Sequence, residues 1–206
     1  PLMRYRYDNF RNMNALHFTY KINRKHLLKY GVNADLYLIN NQDSVLNFEF
    51  TDWVSRWDFQ DQAMLVRPFF QWRWKFNDDW TVNAGVHSSY FSLSNSISPV
   101  EPRAGIRWSF APRHSISYGI GLHSQMQPLY LYSYHLEGQD GEKIYHLRDM
   151  DFTKSWHNVI SWDYAITTNM RMKLETYHQY LFNIPVELQP SSYAMVNMGS
   201  GFQRFF

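Results

Sequence analysis

Apolar and polar residues alternate along most of this chain. In the first clear example, Leu16, Phe18 and Tyr20 alternate with His17 and Thr19. A period of two places successive side chains on opposite faces of a β-strand. The alternation stops and resumes at short segments rich in Asn, Asp or Pro, which are typical turn residues. These four segments are 23–26, 77–79, 111–114 and 167–169, and they predict a series of antiparallel hairpins.

The connections between these hairpins are longer and polar. They cover residues 41–61, 93–101, 136–153 and 185–195. Short turns at one end of the strands and long loops at the other are typical of outer-membrane β-barrels. The sequence therefore predicts an all-β fold, an antiparallel up-and-down transmembrane β-barrel segment. We expect about eight strands plus part of a ninth, with four tight periplasmic turns and long extracellular loops.

The two ends of the sequence suggest a partial barrel. The chain begins at Pro1 without a charged-then-apolar leader, and its last eight residues, 199–206, form no obvious closing strand. Since a barrel must be exported, we expect residues 1–206 to be an internal piece of a longer protein. On this interpretation the chain contains neither a signal peptide nor a plug domain.

The composition supports a membrane interface. Aromatic residues make up 18% of the chain although its mean hydropathy is −0.50. Rings of this kind gather where a barrel meets the lipid headgroups. The predicted girdle lies on the lipid face close to the tight turns. It consists of Tyr20, Tyr30, Trp72, Trp74, Trp80, Trp108, Trp162 and Tyr164.

The basic residues of the strands alternate onto the opposite, lumen face. A Lys or Arg facing lipid near the bilayer midplane would cost about 2–4 kcal/mol, so this distribution favours the membrane interpretation. The candidate lumen-facing and plug-facing residues are Arg67, Arg73, Lys75, Arg103, Arg107, Arg171, Lys173, His87 and His123. They could guide an anionic solute, or they could pair with a plug and with lumen carboxylates such as Asp35, Asp163 and Glu175. The second interpretation is favoured.

Several other classes of protein are disfavoured. The chain has no cysteine, so a disulfide framework or a thiolate metal site is impossible, and its net charge of +2 gives no reason to expect nucleic acid. No apolar run approaches the roughly 18 residues of a membrane-spanning helix. The histidines lack ligand spacing along any one strand, and no nucleophile motif is present. We therefore expect no metal, no cofactor and no catalytic residue. A soluble β-sandwich also alternates, but it would not concentrate rings at one end of its strands.

Two loop segments are candidates for solute recognition because they are rich in aromatic residues. Trp53 and Trp57 lie in the first, and Tyr130 and Tyr132 lie in the second. Aromatic faces beside hydrogen-bonding groups can bind sugars or peptides. Such loops also pack on one another for structural reasons, and both interpretations remain open.

Several segments carry a resemblance to a known family. They begin at Val100-Glu101-Pro102-Arg103-Ala104-Gly105-Ile106-Arg107-Trp108 and continue through residues 111–130, 151–155, 182–187 and 191–193. Together they resemble the β-barrel of TonB-dependent outer-membrane receptors, in the branch with an N-terminal carboxypeptidase-regulatory-like domain. The resemblance implies a barrel of about twenty-two strands around an N-terminal plug. It also implies contact with TonB through an N-terminal region that this chain lacks.

The leading hypothesis is therefore a transport protein that is not an enzyme. The chain would be a barrel-wall segment of a TonB-dependent receptor that imports an unidentified solute across the outer membrane of a Gram-negative cell. Its expected partners are outer-membrane lipid, the plug of the same protein, TonB and the solute. The alternatives are a self-contained small barrel with a structural or adhesive role and, less favoured, an outer-membrane hydrolase.

Overall fold

The described part of the chain is dominated by one antiparallel sheet. The computed structural model describes residues 2–47, 51–133, 135–137, 140, 142–187 and 195–205. Within these residues nine strands form the sheet, and each pairs with the strands of the sheet that precede and follow it in sequence. The strand order is open, and the first and last of these strands are the two edges of the sheet as described. The predicted fold class, a partial up-and-down barrel, is confirmed.

The strands vary in length from short hairpin arms to long ribbons. The strands of the main sheet are β1 (Met3–Lys21), β2 (His26–Leu46), β3 (Trp53–Lys75), β4 (Trp80–Phe91), β5 (Ser96–Ala111), β6 (His114–Gln125), β9 (Thr153–Ala165), β10 (Arg171–Glu187) and β11 (Met195–Phe205). The first three have 19, 21 and 23 residues. Since a tilted strand crosses a bilayer with about 9–11 residues, these strands extend well beyond it.

All four predicted tight turns are present at one end of the sheet. The side chain of Asn23 accepts hydrogen bonds from the backbone N–H groups of Lys25 and His26, at 2.8 and 2.9 Å. Asn77 does the same for Asp79 and Trp80. In the third turn Ala111 pairs with His114, and Arg113 adopts a φ of 69°. These local bonds explain why polar residues mark the turns in the sequence.

The bounds of the long loops differ from those predicted. The predicted loop 41–61 is mostly strand, because β2 continues to Leu46 and β3 begins at Trp53. The predicted loop 93–101 shrinks to a turn at 92–95. Of the predicted loop 185–195, β10 includes the first three residues and residues 188–194 lie outside the described residues. These strand segments are rich in polar residues, and composition alone therefore indicated loops.

The sheet is curved, and its two faces are covered differently. Along β2, Leu36 and Leu38 are 43% and 45% exposed, whereas Tyr37 and Ile39 are only 5% and 2% exposed. Directly paired residues of antiparallel strands share a face. The register therefore assigns every strand a convex face and a concave face. The convex face is mainly apolar near the tight turns and the concave face is mainly polar, but Arg4, Arg6 and Asp8 of β1 lie on the convex side far from the turns, where the sequence predicted no basic residue.

The segment between β6 and β9 lies against the concave face. Residues 126–152 include α1 (Leu129–Tyr132), the small hairpin β7 (Leu136–Glu137) and β8 (Lys143–Ile144), and a 3₁₀ helix (His146–Asp149). This segment, called here the inner loop, was predicted to cover only 136–153. Its buried apolar residues pack against side chains of β2, β3 and β4 in one cluster. That cluster is Tyr37, Ile39, Phe59, Ala63, Leu65, Phe91, Tyr132, Leu147, Met150 and Phe152. In the described part of the chain, no helix has the length and apolar character needed to cross a membrane.

Candidate functional site

The concave face carries all nine residues predicted to face the lumen. The register places Arg67 opposite Asn33, Arg73 opposite Asn83 and His87 opposite Glu101. The same alternation puts Lys75, Arg103, Arg107, His123, Arg171 and Lys173 on this face. Their roles toward a plug or a solute stay a prediction.

Near the tight turns, three basic residues of the concave face have partners within the wall itself. Arg171 donates to Asp163 from Nε and Nη2 at 3.0 and 2.6 Å. Lys173 lies 2.5 Å from Glu175, and the Arg107 guanidinium donates to Ser115 at 3.0 Å. Two of these basic residues thus pair with carboxylates of the same wall.

A different arrangement surrounds Asp35 farther from the turns. Its side chain is 3% exposed, and its Oδ2 accepts from Nη2 of both Arg11 and Arg67, each at 2.7 Å. Two guanidinium groups thus share one carboxylate, which leaves one positive charge in excess. Arg11 was missed at the sequence level, because apolar and polar residues are mixed on both faces over the first fourteen residues.

Histidines from four strands face the concave side. The ring of Phe69 contacts His17 edge-on at 5.1 Å and stacks on His87 at 5.5 Å, between ring centroids. The rings of His123 and His157 lie 4.5 Å apart although 34 residues separate them. Strand register produces these contacts, so spacing along one strand could not reveal them. Among the described residues, no group of three His, Cys, Asp or Glu side chains is arranged to hold a metal ion.

Glu101 is buried among these groups. Its side chain is 2% exposed and accepts from the Ser89 hydroxyl at 3.0 Å, from the Ser124 hydroxyl and from Arg103 at 3.3 Å. A buried carboxylate needs such donors because an unpaired charge would be costly. Glu101 was missed as a site residue, since a single Glu before a proline carries no recognisable signal.

The aromatic residues proposed for recognition occupy different environments. The guanidinium of Arg4 covers the ring of Trp53 at 4.0 Å, while the side chain of Trp57 lies outside the described residues. Tyr130 is 50% exposed, but Tyr132 is 1% exposed and packs between the inner loop and Phe91 of β4. The hydroxyl of Tyr132 accepts from the backbone N–H of Gln127 at 3.1 Å. Burial raises the pKa of Tyr132, partly opposed by that hydrogen bond. Tyr132 therefore offers no ring face to a solute.

The predicted girdle residues lie on the convex face near the turns. Trp80 stacks on Trp108 at 5.1 Å, and Trp162 and Tyr164 are stacked at 6.2 Å. Two histidines missed by the sequence analysis join them at the first position of a strand. His114 stacks on Tyr164 at 4.1 Å, and His26 accepts from Nε1 of Trp72 at 3.1 Å. The amphipathic band at the turn end is thus built from indole, phenol and imidazole rings.

Comparison with solved structures points to the same kind of barrel. The FrpB iron transporter of Neisseria meningitidis aligns with 94% of this chain at 14% identity and a TM-score of 0.64. The siderophore receptor PirA of Pseudomonas aeruginosa aligns with 96% at 10% identity and a TM-score of 0.67. The RagAB peptide transporter aligns with 96% at 12% identity and a TM-score of 0.65. At these identities the likeness concerns the fold.

This chain aligns with only part of the length of each solved chain. This chain spans 32% of FrpB, 38% of PirA and 27% of the RagAB chain. No curated protein matches the sequence.

A sequence profile gives the family. The profile described as "TonB dependent receptor-like, beta-barrel" matches residues 2–185, which is nearly the whole of the sheet and the inner loop. An open antiparallel sheet with an apolar outer face and a polar inner face is what a segment of such a barrel requires. On the strength of that match, this chain belongs to the TonB-dependent receptor β-barrel family of the outer membrane.

Proposed function

We propose that this chain forms part of the barrel wall of an outer-membrane transporter that imports a solute with energy delivered through TonB. The observation that carries the proposal is the family match over residues 2–185. Members of this family are transporters rather than enzymes. The concave face would line the transport path, and the convex face would meet lipid.

A plug domain in the same protein is the second part of the proposal. The family implies a plug and an interaction with TonB. The concave wall near the turns retains exposed cations, since Lys173 and Arg171 are 47% and 59% exposed beside their partners. Such groups suit a polar protein surface that fills the lumen. The carboxypeptidase-regulatory-like branch also stays a prediction, because the matched profile concerns the barrel.

The sheet topology favours this proposal over a self-contained small barrel. Closure would require the two edge strands to pair. In the described residues β1 pairs with β2 alone, and β11 pairs with β10 alone. The sheet is therefore better suited to be an arc of a wider wall.

A genetic test examines transport even while the solute is unidentified. The gene for the receptor is deleted in cells with and without a functional tonB gene, and growth is compared across defined iron, copper, peptide and sugar sources. We expect the receptor deletion to impair growth on one source, the tonB deletion to impair it there as well, and the double deletion to be no worse on that source. Additive defects on that source, or receptor-dependent growth that persists without TonB, would contradict the proposal.

A further inference from the structure

A cavity lies between the concave wall and the inner loop. Its volume is about 310 Å³, at the lower end of the range of ligand pockets. Strands β1 to β4 provide one side, and the inner loop with the end of β6 provides the other. The lining includes Arg11, Tyr37, Leu65 and Arg67 from the strands, and Gln127 and Phe152 from the inner loop.

One wall of the cavity carries excess positive charge. Arg11 and Arg67 share the carboxylate of Asp35, and their side chains are still 46% and 41% exposed. Each guanidinium has five N–H groups, and only Nη2 of each is bonded to Asp35. The Nε of Arg67 is buried and has no hydrogen-bond partner in the described structure. This pair of guanidinium groups is therefore neither charge-neutral nor fully hydrogen-bonded.

The lining also has an apolar part that is fixed in place, with Tyr37 and Leu65 on the strands beside the arginines and Phe152 on the inner loop. Tyr37, Leu65 and Phe152 are 5%, 6% and 2% exposed and belong to the packed cluster beneath the inner loop. Arg148 anchors this loop to Asp61 at 2.6 Å, and Asn183 donates to the backbone oxygen of Phe152 at 2.7 Å. The cavity thus has a preformed apolar wall.

The two serine hydroxyls and the Gln127 amide in the lining are already engaged. Ser89 and Ser124 both donate to Glu101, and Gln127 donates to Thr153 at 2.8 Å. These bonds leave the two guanidinium groups as the strongest free donors facing the cavity. Paired guanidinium groups favour oxyanions, because their planar N–H groups match carboxylate and phosphate oxygens.

We propose that this cavity binds a small organic anion, with its carboxylate or phosphate at Arg11 and Arg67 and its apolar body against Tyr37, Leu65 and Phe152. The inference rests on the proposed transport function, for which it names a solute class. The inner loop would shape the binding site as a fixed wall of the path. Neutral solutes of the same shape would leave the arginines without an acceptor and bind more weakly.

The test measures binding to the purified receptor in detergent. The probes are cinnamate, phenyl phosphate and the neutral cinnamamide, in equilibrium dialysis against protein-free micelles that correct for partitioning. We expect saturable binding of the two anions that exceeds binding of the amide by about tenfold. Arg67→Gln should abolish this preference, and Arg67→Lys should restore part of it, because lysine keeps the charge but not the planar geometry.

A matched control and a second variant make the result specific. Arg6→Gln removes a cation from the convex face of the same strand as Arg11, where Arg6 is 70% exposed, and should leave binding unchanged. Arg11→Gln leaves the Arg67–Asp35 pair intact and gives an independent measurement if Arg67→Gln does not assemble. Heat-modifiable gel mobility verifies that each variant is folded.

Three results would overturn the inference. They are equal binding of cinnamate and cinnamamide, unchanged anion binding in folded Arg67→Gln or Arg11→Gln, and no saturable binding of either anion by folded wild-type receptor. Each leaves the transport proposal standing if deletion of the receptor gene causes a growth defect that depends on TonB. If that deletion causes no TonB-dependent growth defect, the transport proposal itself is wrong.

Discussion

The type of side chain tolerated at a position in this protein depends on which face of the sheet the position occupies. Ile120 on the convex face and Gly119 on the concave face are sequence neighbours, yet they belong to different environments. Ile120 is 38% exposed on the surface assigned to lipid. A Cβ added at Gly119 would have its nearest neighbour at 3.9 Å, the backbone oxygen of Ala104. A polar side chain should therefore be tolerated at Gly119 and not at Ile120.

At the residue scale, we predict that Ile120→Arg impairs assembly and that Gly119→Ser does not. An arginine facing lipid costs about 2–4 kcal/mol near the midplane, whereas a hydroxyl in the lumen stays hydrated. Heat-modifiable mobility of the receptor in outer-membrane fractions measures the folded fraction. If both variants assembled equally well, the assignment of the convex face to lipid would be wrong.

Pairs of strands depend on close backbone approach at particular positions. At Gly31 of β2, a Cβ would lie 2.2 Å from the backbone oxygen of Leu16 and 3.0 Å from the Cα of His17, both on β1. At Gly105 of β5, the nearest atom would be 3.5 Å away, the backbone oxygen of Tyr118. The first position requires glycine, and the second tolerates a side chain.

At the scale of the hairpin, we predict that Gly31→Ala destabilises the β1–β2 pair and that Gly105→Ala is nearly neutral. Overpacking of this kind typically costs about 1–3 kcal/mol. Guanidinium unfolding of the receptor gives the change in stability, and hydrogen exchange of the β1 amides localises it. An unchanged β1 exchange pattern in Gly31→Ala would show that the strands are not so close.

The whole sheet has two open edges in the described structure. β1 is exposed along all of its 19 residues, and on one side its backbone groups pair with β2. In a bilayer every unpaired backbone N–H or C=O costs several kcal/mol, so a spanning sheet needs a partner for each edge. An arc of this kind is expected to depend on neighbouring strands.

At the scale of the molecule, we predict that these 206 residues refolded alone aggregate through their edges, whereas the full receptor is monodisperse. Light scattering coupled to size exclusion in the same detergent distinguishes the two. A monodisperse, heat-modifiable barrel formed by these residues alone would instead support the self-contained small barrel.

Period-two alternation of apolar and polar residues predicted much of the fold. It placed the apolar and polar residues next to the tight turns on opposite faces, as the register has them, and the turn residues Asn23, Asn77 and Pro112 located three of the tight turns. These properties are local, because consecutive strand residues point to opposite faces and an Asn side chain bonds its own turn. The polar strand ends beyond the membrane were predicted to be loops. Polar residues in those segments indicate contact with water, and they do not indicate irregular backbone.

Contacts between distant residues were decided only by the tertiary structure. The 4.5 Å contact of His123 with His157 depends on the register of β6 against β9, which no residue of either strand encodes alone. Burial of Tyr132 and the cavity beside Arg67 depend on how the inner loop packs on β2, β3 and β4. By itself, the sequence determined which solvent each strand face meets, because lipid and water impose that choice residue by residue. The lining of the cavity was decided by folding, because it is assembled from strands and a loop far apart in the chain.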